Sequence, residues 1–314
     1  MKKYRAPAKK AKATAQRYLK VIPGARDKDK EKESLSIRYN LGLEHYHLGN
    51  YRQAIHWFEG VYHDCDRQWQ YAASLFLNYA TCLLEEKEYP AAVEVLQRGI
   101  DWFPAYTDLF YLKGLAHKSL NQPDAAMDAF NHCLKLGESP PGYDTTEGVG
   151  SYKACQMAGE VLEEAEAYDQ AVKAYTLALQ CRPKNPQSLK GLARSLVKTM
   201  DYDQCLAYLD RYFIFSDLHS LHGIVDAFLA AQAAEVALMV ARRALAQDPQ
   251  DKALALLTAQ ACLWREREIL HQASHYFKEV PAIAREQQGL VLGLQQLEEL
   301  YMSLAKGGEP VGQS

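Results

Sequence analysis

The chain is organised by a recurring pairing of small and large apolar positions. Small residues stand at Gly42, Ala80, Gly114, Gly159, Ala193 and Val225. Twelve positions after each comes a second small residue: Ala54, Ala92, Ala126, Ala171, Cys205 and Ala237. Four further on lie Phe58, Leu96, Phe130, Tyr175, Leu209 and Ala241, and three more reach Val61, Gly99, Cys133, Ala178, Tyr212 and Ala244. Spacings of three and four mark one face of a helix. Between the two small columns falls a short polar turn, such as Leu48-Gly49-Asn50-Tyr51, which lets the chain reverse between antiparallel helices. Tyr51, Tyr89, Tyr168 and Tyr202 open the second helix in four of the six units, and Pro104, Pro183 and Pro249 close three of them.

The columns have a packing reason. Two helices approach closely only where small side chains meet at their crossing. The second small residue lets helix B reach helix A, and the large residue one turn later is expected to fill the gap toward the next hairpin. No unit can bury its apolar face alone, so the units must stack. The small column steps by 38, 34, 45, 34 and 32 residues. With Tyr39-Asn40-Leu41-Gly42, Leu48-Gly49-Asn50-Tyr51 and Ala54-Ile55, these steps resemble the tetratricopeptide repeat, whose period is about 34 residues. The fold expected is all-α: a right-handed superhelical solenoid of antiparallel helix hairpins. It has six clear repeats, a degenerate seventh around Ala259 and Phe277, and a C-terminal capping helix over residues 287–304. The array is expected over residues 35–285, with the capping helix and a Gly/Pro-rich tail over 286–314.

Charge changes the picture at one end. Residues 1–20 carry eight Lys or Arg and no acid, and with the formal net charge of −3 this leaves −11 for residues 21–314. A basic arm, residues 1–34 with the alternating-charge run Arg26–Glu33 as its linker, therefore precedes an acidic body. The acid-free composition of residues 1–20 is shared with organelle transit peptides, but the reading preferred is a solvated arm. Tyr4 and Tyr18 are too few to stack bases, so nucleic acid is not the expected partner. The first twenty residues lack a continuous apolar stretch, and no run of eighteen apolar residues occurs, so neither a secretory signal nor a membrane span is expected. Seven scattered cysteines without a CxxC argue against zinc and against a disulfide framework. A cytoplasmic location is the simplest expectation.

The widest step contains an insertion, Ser139-Pro140-Pro141-Gly142-Tyr143-Asp144-Thr145-Thr146-Glu147-Gly148-Val149-Gly150, which reads as a loop. The stretch Gly148–Ala154 after the Pro-Pro loop, with Tyr39–Gly42 and Leu134–Glu138, is similar to the C-terminal tetratricopeptide region of Gram-positive family-2 glycosyltransferases. The resemblance is best over residues 36–200. Those enzymes carry an N-terminal nucleotide-sugar domain, and the 34 residues before the first hairpin are too few for it, since each βαβ unit takes ~30 residues. Asp64-Cys65-Asp66 and Asp201-Tyr202-Asp203 have the spelling of the family's metal-binding acidic pair, but neither follows a strand. The resemblance implies an accessory module without transferase chemistry.

Two candidate sites emerge. In arrays of this kind the first helix of each hairpin lines the concave face. Tyr39, Asn40, Asn78 and Tyr111, with Leu43, Tyr46, Thr81, Leu115 and Lys118, are expected there in the first three units. In the fifth unit Lys190, Arg194 and Lys198 make a basic stripe spaced by four, suited to an acidic peptide or a terminal carboxylate. The second candidate is an anion site at Gly148, Gly150, Ser151 and Lys153, where Ser151 is expected to cap the helix that follows. His45/His47, His219/His222 and His271/His275 are pairs without a third ligand, so no metal and no cofactor are expected. The expected function is a non-catalytic scaffold that holds a peptide or partner protein, with self-association as an open second use. The alternative is an accessory or detached module of a family-2 glycosyltransferase system, docking an acceptor protein or a catalytic subunit.

Overall fold

The computed structural model describes residues 27–212 and 218–279, and every regular element among them is an α-helix. The chain divides into two compact units between Ala165 and Glu166. The first unit holds α1 (Asp27–His47), α2 (Tyr51–Asp64), α3 (Ala72–Glu85), α4 (Tyr89–Trp102), α5 (Thr107–Ser119), α6 (Pro123–Leu136) and α7 (Tyr152–Glu164). The second holds α8 (Tyr168–Cys181), α9 (Pro186–Thr199), α10 (Tyr202–Tyr212), α11 (Leu218–Ala230), α12 (Ala234–Gln247) and α13 (Lys252–Glu279).

In the first unit each helix packs on the next, and the first helices of successive hairpins also touch: α1 on α3, α3 on α5, α5 on α7. The second unit repeats the arrangement, with α9 on α11 and α11 on α13. This is the stacked-hairpin architecture that the small and large columns predict. Ala54, Ala92, Ala126, Ala171 and Ala237 are fully buried, and Cys205 nearly so.

The large column behaves differently from expectation in the first unit. A Cβ placed on Gly42 would stand 2.4 Å from the Phe58 ring, and one on Gly114 would stand 2.5 Å from the Phe130 ring. Each ring therefore lies over the glycine of its own hairpin, not mainly in the gap to the next one. Tyr175 on α8 does reach forward, to within 2.2 Å of the Cβ position of Gly191 on α9. Burying one such ring is worth about 2–3 kcal/mol relative to leaving it exposed. Tyr212, placed by spacing in a buried column, is 42% exposed instead. A tyrosine does not fit the tight crossing that Ala and Cys make, and its ring lies tilted against Tyr208 at 4.5 Å.

The hairpin turns share one backbone device. Gly49, Lys87, Asn121, Glu166 and Gln232 all have positive φ, between 55° and 73°, and each stands seven positions after a residue of the first small column. In the first turn the Asn50 N–H donates to the His45 carbonyl and the Gly49 N–H to Tyr46; in the second, Glu88 donates to Leu83 and Lys87 to Leu84. These crossed bonds are the Schellman closure of a helix, which satisfies carbonyls that the helix end leaves without partners.

Three expectations fall differently or outside. The charged run is helical from Asp27 onward, so the linker is the start of α1. The seventh unit shows no turn: Lys252–Glu279 is one helix of 28 residues, and its sequence contains no Gly, Pro, Asn or Asp to break it. The basic arm over 1–20, the capping helix over 287–304 and the tail lie outside the described residues.

Candidate peptide-binding face

The predicted residues of the first unit are placed on the first helices but satisfy one another. Tyr39 is buried on α1, and Asn78 Nδ2 on α3 donates to its hydroxyl oxygen at 3.1 Å. The Tyr39 ring stacks on Tyr71 at 5.3 Å and meets Trp69 edge-on at 5.4 Å. Burial pushes its phenol up to about 12. Tyr111 lies against Phe130, its phenol also raised to about 12, by burial and then by the Glu160 carboxylate. Lys118 bridges Glu160 at 2.7 Å and Glu164 at 3.2 Å on α7. Asn40, Leu43, Tyr46 and Leu115 are half-buried, and Thr81 donates its hydroxyl to the Leu77 carbonyl one turn back.

In the second unit Lys190, Arg194 and Lys198 lie along one side of α9. Lys190 is half-exposed and stands 3.4 Å from Asp226 on α11, while Arg194 and Lys198 are exposed. An exposed pair at that distance contributes little to stability. The stripe keeps its cationic character at the surface.

The glycine-loop residues come together, around a carboxylate of the chain itself. The Gly148 N–H donates to Glu138 Oε2 at 3.2 Å, and Ser151 Oγ donates to Glu138 Oε1 at 2.9 Å. Ser151 holds the N-cap position of α7, but its hydroxyl makes no capping bond because it is turned to Glu138. Lys153 Nζ lies over the Tyr152 ring at 5.8 Å. Gly150 is required by contact: a Cβ there would fall 2.0 Å from the Gly137 carbonyl carbon, so the two ends of the insertion are pressed together. That makes residues 137–150 an Ω-loop with a closed neck.

The residues that hold this loop were not legible in the sequence. Asp108, in the first turn of α5, is only 2% exposed. It accepts from Ser139 Oγ at 2.9 Å, from Thr145 Oγ1 at 2.9 Å and from the Thr146 N–H at 2.7 Å. Thr107 Oγ1 donates to the Gly137 carbonyl at 2.7 Å. The Tyr106 hydroxyl donates to the Asp144 carbonyl, and the Tyr143 ring stacks on Tyr106 at 4.4 Å. Ser74 on α3, one turn before Asn78, donates to the Asp144 carboxylate at 2.5 Å. An acidic residue at a helix start reads as dipole compensation, and nothing local marks it as an anchor for a segment more than thirty positions away.

The remaining candidates resolve into structural partners. Asp64 pairs with Arg38 at 2.8 Å, Asp66 accepts from the Gln68 N–H, and Asp201 exchanges reciprocal bonds with Gln204 as a helix cap. His222 pairs with Asp251 at 2.6 Å, and the side chains of His219, His271 and His275 lie outside the described ones. Among the described residues no three His, Cys, Asp or Glu side chains gather as a metal site, and no helix is long and apolar enough to cross a membrane. Burial pushes the thiols of Cys82 and Cys133 up to about 12 and that of Cys205 to about 11, which disfavours the thiolate.

Two segments, residues 35–62 and 107–138, match the family model of the tetratricopeptide repeat. They cover α1 with α2 and α5 with α6, the hairpins in which Phe58 and Phe130 sit on glycine. Each of these two hairpins matches the tetratricopeptide repeat. No curated protein matches its sequence. Among solved structures it is similar to MamA of AMB-1, at 18% identity over 57% of this chain and 90% of that one, with a TM-score of 0.43. It is also similar to PilW, a widely conserved type IV pilus biogenesis factor, at 19% identity over 71% and 98%, with a TM-score of 0.45. The APC/C hetero-tetramer Cut9–Hcn1 is matched at 15% identity over 81% of this chain and 46% of that one, with a TM-score of 0.44. A tetratricopeptide unit supplies paired helices and a face; the chemistry of that face belongs to this chain's own residues.

Proposed function

We propose that this chain is a non-catalytic scaffold whose first-helix faces hold an extended peptide or partner protein, with an acidic segment on α9. The observation that carries the reading is the surface cationic stripe Lys190–Arg194–Lys198, set in a body whose remaining charge is strongly negative. Arg and Lys spaced one turn apart offer donors to successive carboxylates of a ligand lying along the helix. The seven scattered cysteines, without a CxxC, suit a reducing compartment such as the cytoplasm. The test compares the intact protein with Lys190→Glu/Arg194→Glu in affinity purification and then in calorimetry with the purified partner. The variant is expected to lose at least ten-fold in affinity at low salt while keeping its helical circular dichroism. Equal affinity of the two proteins for every recovered partner overturns the α9 assignment.

A second reading is an accessory role beside a family-2 glycosyltransferase, docking its acceptor or catalytic subunit. It is supported by sequence resemblance alone, in Gly148–Ala154, Tyr39–Gly42 and Leu134–Glu138. Recovery of a nucleotide-sugar enzyme in the same purification favours it; its repeated absence from the native host's complexes counts against it.

A further inference from the structure

The Ω-loop lies over the first-helix face of the first unit in the manner of a bound peptide. Residues 143–147 run between two glycines with positive φ, Gly142 at 104° and Gly148 at 89°. Such residues are suited to act as hinges, because glycine alone adopts this backbone freely. Between them, Asp144, Thr145 and Thr146 remain exposed on their outer side while their inner polar atoms are engaged. Beneath them sit a buried phenol and a buried carboxylate, Tyr106 at 0% and Asp108 at 2% exposure. Nothing apolar in the segment except the Tyr143 ring anchors it. The rest is one backbone N–H, one backbone carbonyl, one hydroxyl and one carboxylate, each matched by a protein group on α3, on α5 or just before α5. A loop serving only to fill a gap has no need of a pocketed aromatic and four polar groups matched to α3, to α5 and to Tyr106.

The geometry points to residues 143–147 being an intramolecular stand-in for a partner segment. The surface made by Ser74, Phe103, Tyr106 and Asp108 binds an extended aromatic–acidic–hydroxyl sequence in trans when this strap lifts. The inference rests on the reading that first-helix faces hold extended peptides, but it concerns the first unit and different residues. The partner chemistry follows from the contacts: a ring for Tyr106 and Phe103, a carboxylate for Ser74, then a hydroxyl and a backbone N–H for Asp108.

Short flexible arms present a tethered segment at an effective concentration on the order of millimolar. A strap that is mostly closed must therefore bind in trans with a dissociation constant at or below about that value. The full chain with Tyr143, Asp144, Thr145 and Thr146 all changed to Ala is titrated with a synthetic peptide of residues Pro141–Glu147. Binding is followed by chemical-shift changes at Ser74 and Tyr106. Saturable one-to-one binding is expected, at least ten-fold weaker to the unaltered chain, at least ten-fold weaker for a peptide lacking the tyrosine ring, and at least ten-fold weaker when Asp108→Ala is added. No saturable shift at about ten times the effective concentration, in a variant with unchanged circular dichroism, overturns the proposal. Hydrogen exchange on the unaltered chain is a second, independent arm. The Thr146 amide is expected to open at least a hundred-fold more often than amides of α5 and α7. Exchange of Thr146 together with those helices makes the segment an integral part of the fold and overturns the proposal. Retained partner affinity in the Lys190→Glu/Arg194→Glu protein, by contrast, removes only the α9 assignment and leaves the signals at Ser74 and Tyr106 unaffected.

Discussion

Asp108 accepts the backbone N–H of Thr146 at 2.7 Å, across 38 positions of chain. This bond, with two hydroxyl donors on the same carboxylate, fixes where the only long insertion between described helices of the first unit comes to rest. Removing the acceptor leaves a backbone donor and two hydroxyls to find other partners. Leaving a buried group unmatched costs about 1–3 kcal/mol. Asp108→Ala is expected to destabilise the chain by about 2–3 kcal/mol, and Asp108→Asn, which keeps one acceptor, by about 1 kcal/mol. Urea midpoints combined with exchange at Thr146 check this. A midpoint unchanged by Asp108→Ala contradicts the anchoring role.

The turns offer a prediction with opposite signs at equivalent positions. Gly49 and Lys87 occupy the same place in successive hairpins with φ of 73° and 63°. A side chain in the left-handed region costs about 1–2 kcal/mol, and glycine avoids it. Lys87→Gly is expected to raise stability by about 0.5–1 kcal/mol even though it adds freedom to the unfolded chain. Gly49→Ala should lower it by about 1 kcal/mol. Thermal midpoints of the two variants moving in the same direction would show that side-chain contacts, not backbone conformation, control the turns.

Alkaline pH should weaken the fold before it affects helix propensity. Burial holds the Tyr39 phenol at about 12, above its ordinary value of 10, and the Cys82 and Cys133 thiols at about 12, above theirs of 9. All three groups are neutral when protonated, so the unfolded chain releases these protons at lower pH than the folded chain does. Their contribution is fully present below about pH 8.5 and is lost progressively as pH rises toward 12. For Tyr39 the full loss is about 2–3 kcal/mol. Urea midpoints are expected to decline from near pH 9, and Cys82→Ala/Cys133→Ala to delay the decline to near pH 10. A flat profile from pH 8 to 11 contradicts the burial of these groups.

Much of the hairpin register is written locally. Gly42 with Phe58 and Gly114 with Phe130 are pairs sixteen positions apart, and their spacing alone places the helix crossing. What their spacing left open was direction: the rings turn back onto their own hairpins, into the room that the absent Cβ of each glycine leaves. The candidate site was legible in part for the same reason. The α9 stripe is a one-helix pattern, and its residues do lie together. Tyr39 and Asn78 were correctly placed on neighbouring helices, yet whether they face a ligand or each other depends on a 3.1 Å contact that no periodicity encodes.

By itself, then, the sequence determined helices, their pairing and the position of the insertion, because each depends on side chains three, four or about sixteen residues apart along regular elements. Tertiary structure decided three things: the left-handed turns at Lys87, Glu166 and Gln232, the capture of Glu138 by the glycine loop, and the seating of Tyr143–Thr146 over Asp108. The turn residues carry no glycine to announce them. The polar contacts join groups whose separation in sequence bears no relation to helical period. Their partners are set by where a flexible segment lands on an already folded surface.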